Sequence, residues 1–191
     1  MKQLKLIAGM LALAVLTACA GGPPIDPKDE TVSLVYGYFD MKDAPSSLDW
    51  VSMKKYDNPD NKPVWYHMGA EEGVFMHVGM QPGSYQVDKF GGMGGIPLLT
   101  RREFKYDFGS KGRNDTAVRI RTASTVFLGS FRYIDHSGGI FEADKFEMKP
   151  SDTPSEKEVL ARVIKRLETK KDLKAYTRQL AMARQRLSQL K

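Results

Sequence analysis

The turn chemistry between residues 30 and 149 leaves room only for short extended runs, and this constrains the 191-residue chain more than any other feature. Residues 31–40 (TVSLVYGYFD) are rich in β-branched and aromatic side chains, with Gly37 marking a bulge or a close contact. Residues 48–55 alternate weakly. Residues 64–68 and 74–78 are short aromatic runs around Gly69-Ala70-Glu71-Glu72-Gly73, a loop of hairpin length. Gln81-Pro82-Gly83 supplies Pro and Gly for the centre of a type II turn, and residues 84–90 follow as a strand. Over residues 101–108, Phe104, Tyr106 and Phe108 share one face while Glu103, Lys105 and Asp107 share the other, the alternation of a half-buried antiparallel strand. Further runs lie at residues 117–122, 125–135 and 140–147. Eight or nine such strands predict a mainly β domain over residues 30–149, an antiparallel β-sandwich.

The character changes at Pro150, and residues 150–191 predict a basic amphipathic helix or helical hairpin. Thr153-Pro154-Ser155-Glu156 combines a capping box with Pro at the first helical position. Val159, Leu160, Val163, Ile164 and Leu167 form an apolar stripe, and the phase breaks at Thr169-Lys170-Lys171-Asp172. Leu173, Tyr176, Leu180, Ala183, Leu187 and Leu190 then step by three and four, a seam too short for an independent coiled coil. It predicts packing against the β domain in preference to an oligomerisation zipper, and it leaves the oligomeric state open.

At the other end, Lys2 and Lys5 precede an uncharged apolar run over residues 6–15, too short for a stable spanning helix. This is an export-signal pattern. The run ends in Leu16-Thr17-Ala18-Cys19, which resembles the bacterial lipobox. The resemblance implies cleavage after residue 18, an S-diacylglycerol on Cys19 and an N-acyl group on its new amino terminus. Cys19 is the only cysteine, so this chemistry would consume the one thiol and exclude cysteine catalysis, thiolate ligands and an intramolecular disulfide framework. Ala20 stands where inner-membrane lipoproteins typically carry Asp, which implies the outer membrane; the periplasmic face is expected, with the cell exterior left open. Three prolines and two glycines follow within ten residues, so residues 19–29 are expected to form a flexible tether.

Two segments, Gly73-Val74-Phe75 followed by residues 81–87 (QPGSYQV), and residues 126–131 (VFLGSF), resemble those of proteobacterial outer-membrane lipoproteins with a transthyretin-like or carboxypeptidase-regulatory-like sandwich. The resemblance covers residues 32–146. It implies a prealbumin- or Ig-like fold, an inward aromatic at Tyr85, and a non-enzymatic accessory or binding module, with no catalytic residues to carry over.

Candidate chemistry is sparse. No Gly-x-Ser-x-Gly elbow, His-Glu-x-x-His or Walker loop occurs, and neighbouring residues in Asp135-His136-Ser137 would point to opposite faces, so no enzyme is predicted. One register of the 64–68 and 74–78 runs puts Trp65, His67, Phe75 and His77 on one face and Tyr66, Met68, Val74 and Met76 on the other. A cluster of His67, His77, Met68 and Met76 would suit copper, because thioethers favour Cu(I) and imidazole tolerates Cu(II). Against it, methionine also fills core gaps, and the spacing fits no compact metal motif. Gly91-Gly92-Met93-Gly94-Gly95 begins a Gly-x-Gly-x-x-Gly pattern, but Pro97 takes the third glycine position, so the run reads as a mobile surface loop. Trp50, Trp65, Tyr66, Tyr36, Tyr38 and Phe39 build either a core or a stacking surface for sugars or peptides.

The formal charge of +6 is unevenly placed. Residues 155–191 hold 11 basic and 4 acidic side chains, whereas residues 19–154 hold 16 and 19. Export would separate the chain from nucleic acid, so no nucleic-acid partner is expected. Lys165, Arg166, Lys170, Lys171, Lys174 and Arg178 would instead meet anionic lipid, lipopolysaccharide phosphates or an acidic envelope protein, or else form a solvated face. The expectation is a lipid-anchored, non-enzymatic interaction or structural module without cofactor. The alternative is a periplasmic copper or small-ligand binder.

Overall fold

Pairing between distant strands organises the short runs into one curled, mixed sheet. The computed structural model describes residues 25–58, 63–95, 100–108, 114–136 and 146–191. Among them lie β1 (Ser33–Asp40), β2 (Trp50–Lys55), β3 (Val64–Glu71), β4 (Val74–Met80), β5 (Gly83–Gly94), β6 (Arg102–Asp107), β7 (Val118–Ile120), β8 (Thr125–Asp135) and β9 (Phe146–Ser151). Helices α1 (Glu156–Thr169) and α2 (Thr177–Gln189) follow, joined through a single 3-10 turn at Lys171–Leu173. The strand order is β6-β5-β2-β3-β4-β1-β8-β9, with β7 beside β5. β1 and β8 run parallel, so the expectation of a purely antiparallel sheet is corrected. A parallel pair needs a long crossover, and here the chain from β1 to β8 passes through six other strands.

The β3–β4 hairpin is tighter than the sequence predicts. Strand β3 continues to Glu71, and the reversal is made by Glu72 and Gly73 at φ 52° and 80°, the left-handed pair of a type I′ turn. Only Ala70↔Phe75 and Glu71↔Val74 pair across it. That joint lets the two halves of the sheet fold over a shared core. Tyr106 of β6 meets Tyr133 of β8 and Phe146 of β9 edge to face, with ring centroids 5.6 and 5.2 Å apart, so the two ends of the strand order meet through side chains. Val35, Phe39, Val51, Met53, Met68, Phe75, Tyr85 and Phe90 are among the buried side chains between the halves. Tyr85 thus takes the inward place expected of it, at 1% exposure.

The predicted glycine loop at residues 91–95 is instead mostly strand, since β5 runs through Gly94. Backbone approaches explain the composition: a Cβ at Gly92 would collide with the Ser47 carbonyl, and one at Gly91 with the Phe104 carbonyl. The predicted turn at residues 137–139 lies outside the described residues.

A second core forms on the outer face, where Leu34, Tyr36, Val74, Met76 and Val78 meet Val159, Leu160, Val163, Ile164 and Leu167 of α1. The predicted stripe is therefore the docking face. The seam from Leu173 to Leu190 packs into the same cluster, which makes the pair an intramolecular helical hairpin. The capping box sits two residues later than the sequence predicts: Ser155 is the N-cap, with Glu158 reaching back to it, and Pro154 precedes the cap. Glu156, in the first turn of α1, ties three elements together. It accepts the Tyr36 hydroxyl at 2.9 Å and two Arg186 bonds at 2.8 and 2.9 Å.

Residues 19–29 are predicted as tether, yet Ile25 lies partly buried in this second core, over Gly79. One flaw marks the helical docking. Gln179 of α2 is fully buried, and neither amide atom has a hydrogen-bond partner. An unpaired buried polar group costs about 1–3 kcal/mol. Gln179→Met is therefore expected to raise stability by about 1 kcal/mol in denaturant unfolding. A loss of stability would show that the amide is satisfied in solution.

Candidate functional site

The outer face of the sheet is covered by helices over β1, β4 and β8 and open over β2, β3, β5 and β6. The register fixes what the open part displays. Trp50 pairs with Gly69 on one side and Gly91 on the other, Ser52 with His67 and Lys89, and Lys54 with Trp65. The ladder slips between Ser52 and Met53, so Asp88 is the extra residue of a β-bulge. A bulge re-aims side chains, and it turns Asp88 and Lys89 onto the same face. The result is a shallow groove of about 650 Å³ lined by Trp50, Ser52, Trp65, His67, Asp88, Lys89, Glu103 and Lys105.

Both indoles are anchored. Trp50 Nε1 donates to Glu103 Oε1 at 3.2 Å, and Trp65 Nε1 donates to Asp88 Oδ2 at 3.0 Å. Without a side chain at Gly91, the Trp50 ring lies over that strand; a Cβ there would stand 2.8 Å from Cζ2. Trp65 remains 39% exposed. Lys105 lies 3.1 Å from Glu103, and Lys89 lies 3.4 Å from Asp107, a third carboxylate beside the two that line the groove. These exposed pairs contribute little stability, and they leave cations and carboxylates interleaved across the groove. No family model, curated protein or solved structure matches this chain.

The other sequence candidates divide. The structure corrects the hairpin register: Phe75 pairs with Ala70, so Tyr66, Met68, Phe75 and His77 share the inner face while Trp65 and His67 lie outside. Tyr66 and His77 meet edge to face, their ring centroids 5.5 Å apart. The copper set is thereby dispersed. His67 is exposed in the groove, Met68 is in the inner core, and Met76 is buried beneath the helices. His77 is largely buried, its Nδ1 accepting the Gly79 N–H at 3.1 Å, and desolvation lowers its pKa to about 4. That is a core histidine with its hydrogen bond made. Among the described residues, no three His, Cys, Asp or Glu side chains gather to hold a metal.

The six basic residues also part company. Arg166 donates to the Val74 and Gly69 carbonyls at 3.1 and 3.3 Å and sits 3.3 Å from Glu71, while Lys170 reaches Glu71 at 3.0 Å. Lys170 in turn holds the Glu71 carboxyl below its ordinary range. These two cations brace α1 against the β3–β4 hairpin. Arg178 lies half-buried near Asp29, with Nη1 enclosed and unpartnered. Lys165, Lys171 and Lys174 are exposed and make no ion pair among the described residues. Cys19 lies outside the described residues. Of the aromatic candidates, Tyr36, Phe39 and Tyr66 are core, and Tyr38 lies half-buried under the Arg162 guanidinium. Sequence reasoning did not single out Asp88 and Glu103 as partners of the tryptophans. The polar face of residues 101–108 held the only signal, for Glu103.

Proposed function

We propose that this chain is an outer-membrane lipoprotein, anchored through acylated Cys19, whose domain is a non-enzymatic interaction module in the periplasm. The residues Leu16-Thr17-Ala18-Cys19, which resemble a lipobox, carry the reading, and the place where the tether ends supports it. Ile25 is packed in the second core, six residues after Cys19. Six extended residues span at most about 20 Å, so an acylated Cys19 would hold the domain close to the bilayer. The entering segment joins the core of the helical hairpin, since Ile25 shares its cluster with Leu173, Tyr176 and Leu180. The short link thus brings the basic hairpin, with exposed Lys171 and Lys174, towards anionic headgroups or lipopolysaccharide phosphates. Such lysines add about 1 kcal/mol each near an anionic surface. The helical hairpin is not itself a membrane span: no described helix is long and apolar enough to cross. Two half-sheets facing across one core also support kinship with the transthyretin-like sandwich lipoproteins.

The anchor is tested by Cys19→Ser with fatty-acid labelling and envelope fractionation. The expected outcome is loss of label and release of the protein from the membrane fraction. Labelling and retention equal to the natural chain would remove the basis of this function.

A further inference from the structure

We propose that the open face between Trp50 and Trp65 is a binding platform for an uncharged oligosaccharide. This rests on the reading of the domain as an interaction module, and it names the chemistry of the partner.

Three observations converge. First, the two indoles stand on adjacent strands of one face: Trp65 opposes Lys54, four residues along β2 from Trp50. That is an offset of about 13 Å along the strand, so the rings engage two different sugar units of one chain. A single monosaccharide would reach only one. Second, the rings are preorganised. Their N–H groups are committed to Glu103 and Asp88, and Gly91 lets the Trp50 ring settle over its strand. What remains for a ligand is the apolar ring face, which matches the C–H face of a pyranose, and little rotamer freedom is left to lose on binding. Third, the polar surround mixes both signs of charge. Asp88 and Glu103 retain acceptor capacity, Lys89 and Lys105 donate, and exposed His67 stands between the indoles beside Ser52, which is buried. Hydroxyl groups both donate and accept, so a sugar satisfies such a set. A polyanion or polycation would meet as much repulsion as attraction. The groove lies on an unwalled sheet face, which admits a chain rather than enclosing a small molecule.

The chain has only two tryptophans, and both lie on this platform. Intrinsic fluorescence of the purified full chain therefore reads the site directly. The titrants are N-acetylglucosamine tetrasaccharide and cellotetraose, with heparin as the charged control. The expected result is a saturable spectral change with a neutral tetrasaccharide and no saturation with heparin. The apparent affinity should be insensitive to salt between about 50 and about 500 mM. Trp65→Ala, followed by the remaining Trp50 signal and by calorimetry, should weaken binding at least about tenfold, while Trp65→Tyr restores most of it. Trp65 lies on the solvent face and outside both cores, so Trp65→Ala should lower the thermal midpoint only modestly, and a single cooperative unfolding transition serves as the folding control.

No response to either tetrasaccharide, a preference for heparin, or full affinity in Trp65→Ala would overturn the platform. Chromatography of the recovered sugar separates the two ideas. Intact sugar supports a binding module, whereas cleaved sugar would keep the platform and sink the non-enzymatic reading. The anchor stands or falls separately, on Cys19→Ser labelling.

Discussion

Phe39→Ala should remove about 3–5 kcal/mol of folding stability, a large share of the 5–15 kcal/mol that holds a typical domain together. Phe39 is fully buried on β1, with β4 on one side and β8 on the other. Its ring lies 4.7 Å from Phe75, 5.1 Å from Phe90, 5.4 Å from Phe108 and 5.8 Å from Phe131. Those rings come from both halves of the sheet, so truncation opens a cavity where the halves meet. Neighbouring strands already carry their own backbone ladders, and they have little freedom to collapse into the space. Phe39→Leu keeps much of the volume and is expected to cost less than half as much. Urea unfolding followed by tryptophan fluorescence at neutral pH measures both. A loss under about 1 kcal/mol for the alanine variant would mean that the halves do not share a single core in solution.

Local chemistry was legible and long-range pairing was not. The alternation at Phe104 and Tyr106 announced β6, and the stripe from Val159 to Leu167 announced the docking face of α1. Each follows from a period within one segment. The glycine run misled because its partners, the Ser47 and Phe104 carbonyls, are distant in sequence. The hairpin misled for a related reason. Gly69-Ala70-Glu71 has weak strand propensity, yet pairing with Val74 and Phe75 and the grip of Arg166 on Gly69 and Glu71 hold it extended. Propensity lost to tertiary contact. That slip decided the candidate site, because a one-residue change of register moves every side chain to the other face. It dispersed the His/Met set by turning Phe75 and His77 inward, away from Trp65 and His67, which share the outer face as expected. Both tryptophans were visible from the start. Their common face was not, because it depends on β2 pairing with β3 and β5 at once.

His77 should make stability fall as the pH is lowered from about 6.5 to about 4, where its folded and unfolded states differ in protonation. Its ring is packed against Tyr66, and its Nδ1 accepts the Gly79 N–H, which requires the unprotonated nitrogen. Burial lowers the folded pKa to about 4 from an ordinary 6.5. Below 6.5 the unfolded chain takes up a proton that the folded chain refuses, so the unfolded state gains. Above 6.5 neither form binds that proton and the full stability is present. The shift corresponds to a loss on the order of 3 kcal/mol by pH 4. Depressed carboxyls act in a lower window: Glu71, held down by Lys170, and Glu158, held down by Ser155, lose their contribution as the pH falls below about 4.5. The interval from 6.5 to 4.5 therefore isolates the imidazole. His77→Gln offers an amide oxygen to the Gly79 N–H but has no titration. Its stability should start below that of the natural chain at pH 7, and the gap should narrow steadily as the pH drops. Parallel slopes for the two proteins across that interval would show that His77 is not buried as a neutral ring.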